Sequence, residues 1–145
     1  MKRGAGPEHC PFCKRIAEED YDASWLDGVT FEPLNPVTPG HRLFVTRYHE
    51  DPKEFRFTYE SNLIPRERAE RGLRPNPPRG VSAVLPLLDM WRKDRHITED
   101  FNLILNAGEA ASQSIEHLHL HYIPRRPGDG LILPWTGQRP IGESK

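Results

Sequence analysis

The segment His117-Leu118-His119-Leu120-His121-Tyr122-Ile123 restricts what this chain can fold into more than any other. Successive side chains of an extended backbone point to opposite faces, so a strand here gathers His117, His119 and His121 on one face and Leu118, Leu120 and Tyr122 on the other. The apolar face needs a cover. Val84, Leu87, Leu88 and Trp91 recur at i, i+3, i+4 and i+7, the spacing of one helical face, and Pro86 is compatible with a first turn. Arg92, Lys93, Arg95 and His96 cluster near the end of that helix, where cations complement its partial negative charge. The imidazoles are left along a polar surface or pocket. A single buried histidine is ordinarily a hydrogen-bonded structural group, whereas three in register point to chemistry.

The rest of the chain supplies a sheet for this strand to join. Val29 and Phe31 alternate with Thr30 and Glu32, which predicts a half-buried strand ending at Pro33. Asn35-Pro36-Val37-Thr38-Pro39-Gly40 reads as a rigid turn, and Arg42 to Thr46 as a second strand antiparallel to the first. Phe101, Leu103 and Leu105 alternate with Asn102, Ile104 and Asn106 and give a further strand. Near the start, Pro11 suits a first helical turn and Cys13, Ile16 and Ala17 share a face, predicting a short helix running toward Asp20. These elements make an α+β class and a single domain over residues 1–145, the commonest domain size.

From about 51 to 80 the character changes. Five of the fifteen prolines fall there, apolar residues lose their period, and the stretch reads as a charged excursion from the core. Pro65 to Arg71 predicts a short helix with Glu67 and Arg71 paired at i,i+4 and Gly72 as its stop, followed by extended chain from Arg74 to Gly80. Residues 56–80 carry a net charge of +3, which is read as a solvated face in preference to a nucleic-acid contact.

Composition narrows the partners. A net charge of −1 over 145 residues provides no global basic field, so nucleic acid and anionic lipid are not expected partners. No stretch has the length of a signal peptide or a membrane span, and a cytoplasmic location is expected. The two cysteines, Cys10 and Cys13, are spaced C-x-x-C, a pattern of metal or redox sites more than of structural disulfides in a reducing compartment. Two reduced, metal-free thiols at a helix start remain the alternative.

Upstream of the histidines, Asn106-Ala107-Gly108-Glu109-Ala110-Ala111-Ser112-Gln113-Ser114 combines small and hydrogen-bonding residues. Small side chains let backbone N–H groups approach an anion, and Gln113 and Ser114 add donors. Taken alone the stretch is an ordinary polar connection. Beside three aligned imidazoles it reads as a phosphate seat.

With these residues in view, the sequence resembles the histidine triad (HIT) family of nucleotide hydrolases and transferases, in the Hint-like branch. The resemblance rests on the His117 to Ile123 signature, Asn35 to His41 with His49 beyond, the Asn106 to Ser114 loop, the Pro124-Arg125-Arg126 exit and the Cys10-Cys13 pair. It implies a HIT-like fold, an antiparallel sheet of about five strands with flanking helices, assembling as a homodimer. It also implies His119 as the nucleophile at the α-phosphorus, His41 and His121 as its neighbours, and Ser114 as an aid to the leaving group. Asn35, Asn106, Gln113, Ser114 and His121 become nucleotide and phosphate contacts, and a purine nucleotide or nucleotide conjugate the partner. Some members hold a structural zinc, which maps onto Cys10, Cys13, His49 and His117, with no catalytic metal expected. Two departures stand out. Pro33, with Glu32 beside it, occupies the place of an acidic ribose contact, and the charged excursion divides the family's usual long helix.

The expected activity is that of a nucleoside phosphoramidase or dinucleoside polyphosphate hydrolase working through a nucleotidyl-histidine. Two other classes stay open. One is a metal-dependent hydrolase using His117 and His119 with His41 or His49. The other is a zinc-stabilised nucleotide-binding module with little turnover.

Overall fold

The computed structural model describes residues 7–53, 70, 72 and 80–133. Apart from Glu70, Gly72 and Gly80, the helix anticipated at Pro65 to Arg71 and the extended run from Arg74 to Gly80 lie outside the described residues. Five strands form one sheet: β1 (Ala23–Trp25), β2 (Gly28–Phe31), β3 (Arg42–Thr46), β4 (Phe101–Leu105) and β5 (His119–Pro124). Their spatial order is β1-β2-β3-β5-β4, and every pairing is antiparallel. Two α-helices flank the sheet, α1 (Pro11–Ala17) and α2 (Leu85–Asp94). This is the α+β architecture expected.

Strand alternation sorts the core into two layers. On one face Phe44, Leu120 and Tyr122 pack against Val84, Leu87, Leu88 and Trp91 of the α2 region, as the helical spacing required. On the other, Val29, Phe31, Leu43 and Val45 pack against Cys10 and Phe12 of α1. This second layer corrects the expectation of a half-buried β2. Thr30 alternates with the apolar residues but is fully buried, and it stays satisfied because its hydroxyl donates to the Leu43 carbonyl at 2.8 Å. Gly28 marks where α2 crosses β2: a β-carbon there would lie 2.8 Å from the Ala83 carbonyl oxygen.

Both helices end in the same way. After α1, Glu19 takes φ 53° and Asp20 N–H reaches the Arg15 carbonyl; after α2, His96 takes φ 51° and Ile97 N–H reaches the Arg92 carbonyl. This is the left-handed closure usually occupied by glycine. Helix α1 therefore stops at Ala17, three residues before Asp20.

Strand β5 starts at His119, two residues later than anticipated, because the approach to it pairs irregularly. Leu118 N–H donates to the Glu50 carbonyl and Thr46 N–H to the Leu118 carbonyl. Glu50 also holds Gly80 through its carboxylate, at 2.6 Å from the Gly80 nitrogen, so the two ends of the excursion meet beside the strand. At the far end of β5, Arg125 binds Asp129 through Nε (2.7 Å) and Asn102 through Nη1 (2.8 Å), turning the chain back across the sheet. No helix among the described residues is long and apolar enough to cross a membrane.

Candidate active site and metal centre

The β5 register spreads the histidines along one face. Leu43 pairs with His121 and Val45 with His119 on one side, and Ile104 pairs with His121 on the other. Extending that register by one residue puts Asn106 opposite His119 on the same face. The imidazoles of His119 and His121 are 5.1 Å apart, centroid to centroid.

Their tautomers follow from their partners, because a carbonyl oxygen only accepts. His119 Nδ1 lies 2.7 Å from the His117 carbonyl oxygen and must donate to it. Nε2 of His119 then carries the lone pair. That atom has no hydrogen-bond partner and is not sealed from solvent, although the residue as a whole is only 4% exposed. Burial comes from Phe12, whose ring meets the His119 ring edge-on at 5.1 Å. The ring is thus largely buried, with Nε2 reaching solvent, rather than simply facing a pocket.

A second relay orients His121. Val37 N–H donates to His41 Nδ1 at 3.0 Å, so His41 carries its proton on Nε2 and donates it to His121 Nδ1, also at 3.0 Å. His121 is left with a free Nε2–H donor. Burial lowers the pKa of all three rings; for His121, burial and then the charges of His119 and His41 bring it down to about 4. At neutral pH the set is uncharged, as the relay needs.

This has a measurable consequence. An unfolded histidine takes up its proton near pH 6.5, but folded His121 refuses it until about pH 4, so the unfolded state binds more protons between those values. Stability should therefore fall as pH drops from about 6.5 toward 4. Urea midpoints across that range should decline less steeply in His121→Asn than in the wild type; parallel slopes would contradict the assignment.

At the other end of the face, Cys10, Cys13, His49 and His117 bring their ligand atoms within 4.8 Å of one another. His117 Nδ1 lies 3.4 Å from each sulfur, and His49 Nδ1 lies 3.3 Å from Cys13 Sγ. Tetrahedral bonds of about 2.3 Å to sulfur and about 2.0 Å to nitrogen imply S···N edges of about 3.5 Å, so the residues fit a zinc-sized ion. His117 Nε2–H donates to the Thr46 carbonyl at 2.6 Å, which turns the bare Nδ1 toward the sulfurs. In the absence of an ion, burial and then the neighbouring Cys10 push the Cys13 thiol up to about 12; a cation would reverse this by displacing the proton. His119 is not part of this group, and its Nδ1–H is already committed to the His117 carbonyl.

The Asn106 to Ser114 loop is stapled by Gln113, which is buried. Its Oε1 accepts from Gly108 N–H at 2.7 Å and its Nε2 donates to the Ile115 carbonyl at 3.0 Å. Gln113 thus shapes the loop, with one amide proton remaining. Gly108 has φ 98° and Ser112 φ 65°. Asn35 and Ser114 are exposed, Asn106 is half-buried, and none of them hydrogen-bonds to the histidines. Glu32, the neighbour of Pro33, is also exposed just past β2.

Sequence reasoning missed the groups that orient the rings: Phe12, the Thr46 and His117 carbonyls, and Val37 N–H. Only Phe12, between the two cysteines, carried a side-chain signal that could have been read.

A family model described as HIT domain matches residues 62–128. The chain is 24% identical over 139 residues to adenosine 5′-monophosphoramidase HNT1 of Saccharomyces cerevisiae, covering 89% of this chain and 71% of that protein. It is 30% identical over 132 residues to adenylylsulfatase HINT3 of Arabidopsis thaliana, covering 89% of this chain but only 51% of that protein, so it spans about half of that relative's length. Among solved structures, a Zn-bound histidine triad family protein from Mycobacterium smegmatis superposes with a TM-score of 0.55 at 25% identity, covering 88% of this chain and 82% of that one. The domain match, these relatives and the aligned histidines of β5 make the chain similar to proteins of the HIT family.

Proposed function

We propose that this protein is a nucleotide hydrolase or transferase that acts at the α-phosphorus through a covalent nucleotidyl-His119 intermediate. Nucleoside phosphoramidates and dinucleoside polyphosphates are the substrate classes that fit. The reading is carried by the His119 Nδ1–H bond to the His117 carbonyl, which leaves an unprotonated Nε2 at the surface beside a free His121 Nε2–H. It is supported by relatives that are a monophosphoramidase and an adenylylsulfatase, both named for cleavage at an adenylyl group.

In the first displacement His119 Nε2 forms a bond to phosphorus while the bond to the leaving group breaks. His121, oriented by His41, donates to a non-bridging oxygen on which charge builds, and Asn106 and Gln113 add neutral donors. Asn35 contacts the nucleoside end. An amine leaving group takes its proton through Ser114, whereas a phosphate leaves as an anion. In the second displacement water attacks phosphorus and loses a proton to solvent while the bond to His119 breaks and its electron pair returns to Nε2, regenerating the imidazole. Cys10, Cys13, His49 and His117 are proposed to hold a structural zinc that anchors α1 and Phe12 against His119.

Two successive displacements require retention of configuration at phosphorus. Rapid-quench mass spectrometry with adenosine 5′-phosphoramidate should capture one nucleotidyl group on His119 that water then removes, and a chiral α-phosphorothioate should react with retention. Turnover with inversion and without adduct would reject the covalent route in favour of direct attack by water.

A further inference from the structure

Lys53 is a cation that the mechanism above does not use. Its side chain crosses the loop that follows β4: a β-carbon built on Gly108 would stand 2.6 Å from Lys53 Cε and 2.8 Å from Nζ. Gly108 has φ 98° and lacks the atom that would displace the lysine, and Gln113 accepts from its N–H. The position of Lys53 is fixed from behind as well. Its backbone N–H donates to Asp51 Oδ1 at 2.9 Å, Pro52 is buried, and Glu50 accepts from Leu118 N–H, one residue before His119. Lys53 has no ion pair among the described residues and its side chain is exposed.

Direction matters here. His41 meets the strand at His121, and the Asn35 turn leads into His41, so the proposed nucleoside end lies at the His121 end of the face. Lys53 and Gly108 lie at the opposite end, where Asn106 falls opposite His119. In-line displacement puts the departing group across phosphorus from His119, and a nucleoside tethered at the His121 end leaves the loop end of the face open to receive it.

We propose that Lys53 is a specificity-determining residue that binds a negatively charged leaving group, so that phosphoric anhydrides of nucleosides are favoured over phosphoramidates with neutral leaving groups. This rests on the covalent reading of the preceding subsection and narrows its substrate class. As His119 Nε2 bonds to phosphorus, the P–O bond to the departing phosphoryl oxygen breaks and its electron pair stays on that oxygen. The departing phosphate needs no proton at neutral pH but does need a counter-charge, which an ammonium supplies. A neutral amine needs a proton instead and gains little from a nearby cation.

The test compares kcat/KM for diadenosine tetraphosphate and adenosine 5′-phosphoramidate in wild type, Lys53→Met and Lys53→Arg; the shared adenosine cancels base preference from the ratio. In Lys53→Met the ratio of anhydride to phosphoramidate should fall on the order of tenfold or more, and Lys53→Arg should recover most of it. An unchanged ratio while the His119 adduct still forms, or arginine no better than methionine, overturns the role of Lys53 alone. If wild type forms no adduct with either substrate, the covalent reading and this refinement fall together. Melting curves check that each variant is folded, as expected for an exposed side chain.

Discussion

Replacing His119 with alanine should lower turnover of a nucleoside phosphoramidate by roughly 10⁴-fold or more, because the substitution deletes the proposed nucleophile rather than weakening a contact. The fold should survive at a cost. The ring is 4% exposed and packs against Phe12, and its Nδ1–H satisfies the His117 carbonyl, so alanine leaves a small void and an orphaned acceptor. About 1–3 kcal/mol of destabilisation follows from the lost partner alone. His119→Asn separates the two effects, since its amide can donate to the same carbonyl yet cannot form a nucleotidyl-imidazole. Both variants should be inactive, with asparagine the less destabilised in thermal melts. Turnover by either within about tenfold of wild type would eliminate the covalent mechanism.

The second large effect concerns the metal centre. Purified protein should contain about one zinc per chain, and Cys10→Ser should unfold at a markedly lower temperature. Cys10 caps α1, is 3% exposed, and meets a fully buried His117, so loss of an ion there releases the helix from the sheet. Structural zinc is worth about 10–16 kcal/mol in small peptides, and a domain that folds around its own core retains part of its stability without it. A net loss of about 4 kcal/mol corresponds to about 8–16 °C in Tm for a domain of this size. Elemental analysis and calorimetry with and without chelator check this. A metal-free protein with an unchanged melting temperature would leave the cysteines as buried thiols.

How much of this was readable in the sequence depended on which atoms carry the information. The extents of β3 and β4 and the covering face of α2 were legible from apolar runs and helical spacing, although period did not report burial in the strands: β3 is buried from Leu43 to Thr46, and Leu103 of β4 is exposed. The edge strand β1 was not legible, since Ala23-Ser24-Trp25 is short and largely exposed and shows no alternation. Helix ends were obscured because Glu19 and His96 adopt the left-handed position in which glycine would have signalled a stop. The full burial of β2 was missed because Thr30 reads as solvent-facing until the Leu43 carbonyl is seen to satisfy it.

The candidate site divides along the same line. The histidine face follows from a period of two, whereas the tautomers of His119 and His41 are set by a carbonyl and an N–H that every residue possesses. The four metal-ligating positions came from family resemblance, since Cys10 and His117 are separated by 107 residues and nothing local links them. Gln113 was read as a phosphate donor, and its side chain also holds the loop closed, with one amide proton remaining.

The bond from Glu50 to Gly80 has a consequence for how such a chain can diversify. That bond joins the two ends of the stretch beside the sheet, and doubling the length of a loop costs only about 0.6 kcal/mol. Descendants of this gene can therefore lengthen, trim or exchange that stretch while Leu118 and the strand beyond it keep their register. New recognition surfaces could thus be tried next to the old chemistry without rebuilding it.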